Sequence, residues 1–129
     1  MEAFEHESLD PYPSVLELLA LLDRVTALVP PARSYLVTEL QQGARLIAES
    51  IAIGASEPNH AEQLRYMIEG RRAALRCAVL LDAMSTLKVI PTEYRDAGRL
   101  LLLRIVERVS RMENALATEL APPEEEKAS

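Results

Sequence analysis

Glu57-Pro58-Asn59-His60 has the Glu-x-x-His form with which helical bundles ligate paired metal ions. Such a centre needs two copies of the motif and two further inward carboxylates. Here there is one copy, the only other histidine is His6, and Pro58 puts the motif in the opening turn of a helix. We therefore expect no metal and no other cofactor. Cys77 is the single cysteine, so no intrachain disulfide can form. It falls on a broadly apolar helical face with no histidine expected near it, the setting of a buried structural thiol rather than a nucleophile. Paired carboxylates, a glycine-rich phosphate loop and a triad-like spacing are all missing from the sequence. The chain reads as a non-enzyme with no small-molecule substrate evident.

The arginines offer a different chemistry. Twelve of the fourteen basic residues are Arg, and ten of the fourteen bases lie between Leu64 and Leu116. Arg65, Arg72 and Arg76 follow one strip of a helix, and Arg104, Arg108 and Arg111 cluster on the next. A guanidinium suits bidentate contact with phosphate, so these six are candidate nucleic-acid contacts. With few aromatics available for base stacking, any contact would be to the phosphate backbone. The same residues also suit solvated faces, or ion pairs with acids such as Glu69 and Glu107, and both readings stand. Arg71 falls between Leu64 and Leu75, where a core residue is expected. It must reach the end of the bundle or pair with an acid such as Glu49 or Asp82, because a buried unpaired guanidinium is too costly.

Positioning these residues falls to four helical segments. Residues 1–13 are acidic and close on Pro-Tyr-Pro, which reads as an extended arm that delays the first helix to Ser14. Ser14 with Glu17 has the form of a capping box. Val15, Leu18, Leu19, Leu22 and Val29 then line one face, and Pro30-Pro31 ends the helix. The second helix runs from about residues 32–34 to Gly54, with Leu36, Leu40, Gly43, Ile47, Ser50, Ile51 and Gly54 in one stripe. Gly43, Ala44, Ala48 and Ala52 permit close approach of a neighbour, and Gly54 is expected to be the C-cap. The third helix is capped by Ser56 or opens at Pro58. It is apolar nearly all round apart from Arg65, Glu69, Arg72 and Arg76, so neighbours are expected on several sides. Thr92 is the expected N-cap of the fourth, whose core face is Tyr94, Gly98, Leu101, Ile105, Val109, Met112 and Leu116. Residues 121–129, PPEEEKAS after Ala121, are expected to be a disordered acidic tail. Short connections force antiparallel neighbours. The expected fold is all-α, an antiparallel up-down-up-down four-helix bundle over residues 14–120.

Composition agrees with this. The chain has 129 residues, 49% hydrophobic and 26% charged, with four glycines, one Phe and no Trp. That is the profile of helices packed by aliphatic side chains. The N-terminal stretch lacks the basic and apolar regions of a signal peptide, and no apolar run approaches a membrane span, so a cytoplasmic location and no membrane partner are expected. The net charge of −6 hides a polarity. Residues 1–63 hold ten acids against three bases, residues 64–116 six against ten, and residues 117–129 four against one.

Several short patterns carry a resemblance. Phe4, Leu9 and Tyr12 echo an opening F-x-x-L-x-x-Y-x-x-A pattern, and Ile47 to Gly54 stands where a pattern like I-x-x-N-I-A-E-G closes a second helix. Gly70 matches the glycine of a Gly-Ser pair in the third helix, and Tyr94 to Leu116 matches a closing Tyr with a long aliphatic helix. Together, across roughly Phe4 to Leu120, these resemble a family of four-helix-bundle proteins encoded in intervening sequences of large-subunit ribosomal RNA genes. Its relatives accompany reverse transcriptases in diversity-generating retroelements. The chain departs from the pattern at Ser50, where the family has Asn, at Ile53, where it has Glu, and at Arg71. The resemblance implies the four-helix fold, assembly as a closed homo-oligomer with a pentameric ring as first choice, and association with RNA or a nucleoprotein partner such as a reverse transcriptase complex.

Self-association also has a basis in the residues. Leu21 and Leu28 on the first helix, Leu46 and Ile53 on the second, and Leu100 and Leu103 on the fourth fall outside the core stripes. Pairs recurring on several helices suggest an apolar patch larger than a monomer usually shows. Two functions follow as expectations. One is an oligomeric binding or assembly module associated with RNA or a nucleoprotein; the other is a protein-only adaptor or scaffold with no nucleic-acid binding.

Overall fold

The computed structural model describes residues 11–120. They form α1 (Pro11–Leu28), a single 3-10 turn (Pro31–Arg33), α2 (Ser34–Ser56), α3 (His60–Thr86) and α4 (Thr92–Leu120). The helices pack in chain order around a square, α1 on α2, α2 on α3, α3 on α4 and α4 back on α1. The expected all-α four-helix bundle is what the chain forms. The rest of the expected arm, with Phe4, His6 and Leu9, and the expected tail at residues 121–129 lie outside the described residues.

The helix ends differ from expectation in three places. α1 opens at Pro11, so the arm does not extend to residue 13. Proline is tolerated in a first turn because the N–H groups there have no intrahelical acceptor in any case. Ser14 is accordingly not a cap but a buried residue one turn inside the helix. Gly54 is not a C-cap either. α2 continues to Ser56, no glycine has a positive φ, and Gly54 is buried where a Cβ would collide with Met67 and crowd Tyr66. Its smallness serves close helix approach, as does that of Gly43 opposite Cys77. α3 is capped by Asn59, whose side chain accepts from the Glu62 N–H at 3.0 Å. Asn-x-x-Glu is the spacing of an N-cap and a third helical residue, and Ser56 and Pro58 play no such part.

The core is aliphatic. Val15, Leu18 and Leu22 from α1, Leu40, Ile47 and Ile51 from α2, Met67, Leu81 and Met84 from α3, and Leu102, Ile105 and Val109 from α4 are all but sealed from solvent. Two further residues, Leu21 and Val25, join from α1. Burial of Leu21, which keeps 4% of its surface exposed, removes it from the expected outward face. Gly98 leaves the space that admits it: a Cβ there would meet Leu81 and the Leu21 Cδ2. Arg71 pairs with neither Glu49 nor Asp82. Its Nε donates to Glu113 Oε2 at 2.7 Å and its NH2 to Oε1 at 3.3 Å, a part-buried fork joining α3 to α4. No helix among the described residues is long and apolar enough to cross a membrane.

Candidate interaction surfaces

The side chains of catalytic or ligating type each have a partner within the bundle. Glu57 Oε1 accepts from the Asn59 N–H at 3.1 Å, while His60 Nδ1 lies 3.0 Å from Glu119 Oε2 and ties the start of α3 to the end of α4. The two side chains of the Glu-x-x-His motif thus have separate partners, and no group of three potential metal ligands gathers among the described residues. Cys77 is buried, its Sγ 3.7 Å from the Leu40 carbonyl oxygen. Burial in apolar surroundings pushes its pKa up to about 11, so it holds its proton at neutral pH.

The six candidate phosphate-binding arginines do not share a face. Arg71–Glu113 and Arg95–Asp82 mark the seam between α3 and α4. Arg104 is nine residues from both Arg95 and Glu113, about half a turn round α4, so it points away from α3. Arg108 and Arg111 lie on the same far side of α4. On α3, Arg72 and Arg76 stand roughly 100° to 140° from Arg71, on the outer face. The C-terminal hairpin therefore carries two separate cationic strips. Arg65 is held by Glu62 and Glu69, both at 3.0 Å, and lies over the Tyr66 ring; Arg111 pairs with Glu107. Arg72, Arg76, Arg99 and Arg104 are exposed and form no ion pair among the described residues.

Apolar surface is more concentrated. Between α2 and α3 runs a groove of about 630 Å³, with Gly43, Leu46, Leu75, Val79 and Leu80 as its apolar lining and Glu39, Gln42 and Arg76 as its polar groups. Val79 is 66% exposed and Leu75 is half-exposed. Neither the known family models nor the curated proteins contain a match to this chain. Of the six residues expected at an oligomer interface, Leu28 and Ile53 are half-exposed, and Leu100 and Leu103 are each 54% exposed on the outside of α4. Leu46 is partly buried at the groove, and Leu21 belongs to the core. Leu75 and Val79 escaped the sequence reading because α3 was expected to be covered all round. Instead α2 and α4 cover two of its sides and leave this pair on the third. Their i, i+4 spacing beside Arg72 and Arg76 was the available signal.

Proposed function

We propose that this chain is a non-enzymatic assembly module, a four-helix bundle that works through its outer faces and associates with further copies of itself. The observation that carries the reading is the set of large aliphatic side chains left half-exposed on every helix: Leu28 on α1, Ile53 on α2, Leu75 and Val79 on α3, Leu100 and Leu103 on α4. Lone exposed leucines mean little, but pairs one turn apart, one of them beside an apolar groove, are what association faces expose. Burying the exposed half of each contributes roughly 1 kcal/mol, so several per copy suffice to drive assembly. The resemblance to ribosomal-RNA intervening-sequence proteins supports a closed ring, with five copies as the first expectation. Light scattering coupled to size exclusion at micromolar concentration tests this. A multiple of 14.3 kDa is expected, and the monomer mass itself would refute the reading.

A second reading has its own observation. Arg72, Arg76 and Arg104 have no carboxylate partner among the described residues, which leaves them available to phosphate. On this reading the assembled module docks on RNA or on a nucleoprotein. Retention of a structured RNA on a filter at low salt distinguishes it from a protein-only scaffold.

A further inference from the structure

Resting on the assembly reading, we propose that copies join head to tail, the Leu100–Leu103 ridge of α4 in one copy seating in the α2–α3 groove of the next. Both surfaces are apolar and both lack a cover in the single chain. The groove offers Gly43, Leu46 and Leu80 with Leu75 and Val79 above them; the ridge offers two leucines one turn apart. Their charges complement one another. The groove's charged side chains are Glu39 and Arg76, one on each helix, and neither has an ion-pair partner among the described residues. Along α4 the ridge is flanked by Asp96, which Arg95 holds, and by Glu107, whose exposed i, i+4 pair with Arg111 is weak enough to exchange, and Arg99, unpaired among the described residues, stands at its side. The seating we propose sets Arg99 toward Glu39 and Glu107 toward Arg76.

The ridge and the groove lie on different sides of the square of helices, because α4 packs on α3 and α1 whereas the groove opens between α2 and α3. A copy that inserts its ridge therefore still presents an empty groove. Such a contact is heterologous, and repeated it generates a ring or a filament rather than a two-fold dimer.

Two double variants of the full chain test this, Leu75→Glu with Val79→Glu in the groove and Leu100→Glu with Leu103→Glu on the ridge. All four residues are exposed by about half or more, so helicity by circular dichroism should match the wild type. Each variant alone should be monomeric. Their equimolar mixture should give a 1:1 dimer and nothing larger, because one intact ridge meets one intact groove. A mixture that stays monomeric, or a ridge variant that assembles like the wild type, overturns the head-to-tail contact. A wild type already at 14.3 kDa takes down the assembly reading itself. Should either double variant lose helicity, the charges decide. Glu39→Arg and Arg99→Glu should each weaken assembly several-fold, and the two in one chain should restore it. Failure of the combined chain to recover refutes the pairing.

Discussion

Ser50 is buried at the α2–α3 seam opposite Gly70, and its hydroxyl has no hydrogen-bond partner among the described residues. An unmade hydrogen bond of a buried group costs about 1–3 kcal/mol. Ser50→Ala should therefore raise stability by roughly 1 kcal/mol, read as a higher urea midpoint at unchanged slope; a clear loss would mean that the hydroxyl does find a partner. Cys77 gives a pH dependence whose sign follows from burial. Its folded pKa is raised from 9.0 to about 11, so between those values the unfolded chain has shed the thiol proton and the folded one has not. Stability falls as pH rises through that window and is untouched by this group below it. At pH 10 the loss is about 1 kcal/mol, and Cys77→Ala should remove it from a comparison of urea midpoints at pH 8 and pH 10.

Helix ends are where individual residues decide the elements. α3 closes with Lys88 at φ 59°, its N–H on the Ser85 carbonyl at 3.0 Å and the Val89 N–H on Met84 at 2.8 Å. This is a Schellman ending with a lysine in the left-handed position that glycine favours. Lys88→Gly should stabilise by about 1 kcal/mol in thermal or urea unfolding, since it relieves the Cβ penalty at that φ. At the other end of the helix, Asn59→Ala should cost about 1 kcal/mol through the lost Glu62 cap. A destabilised Lys88→Gly or a stabilised Asn59→Ala would show that the ends are set by something other than capping. The core stripes of α1, α2 and α4 were legible in the sequence because 3.6-residue periodicity records burial directly. The ends were less so. Gly54 has the composition of a cap, but whether a glycine relieves a backbone or admits a neighbour depends on the neighbour, here Met67. Leu21 was misread for a similar reason: α1 packs on both α2 and α4, so its buried stripe is wider than a single seam. For Leu75 and Val79 periodicity says only that the residues are apolar. It cannot say whether the surface that covers them belongs to the same chain.

At the scale of the whole molecule, the charge polarity read along the sequence resolves differently once the bundle is defined. Residues 11–120 hold thirteen acids and thirteen bases and are neutral in sum. The net −6 resides in residues 1–10 and 121–129, with seven acids and Lys127. A polyanion approaching the bundle is therefore opposed by the terminal segments and attracted only locally, by strips such as Arg72–Arg76. The two effects separate experimentally. Removing residues 121–129 takes away three acids and one base and should strengthen RNA retention at low salt, with little effect at physiological salt, where exposed charges beyond about 8 Å are screened. It should steepen the slope of log affinity against log salt slightly, because the repulsion it removes is itself screened as salt rises. Reversing Arg72 and Arg76 to Glu should do the converse, weakening retention at every salt and flattening the slope by roughly one to two, as fewer counterions are released. Arg65 adds little to that change, since Glu62 and Glu69 already hold it. If the untrimmed protein retains no RNA at low salt and the trimmed chain retains none either, repulsion is not what prevents binding. The cationic strips are then ordinary solvated faces, and the bundle's partners are proteins.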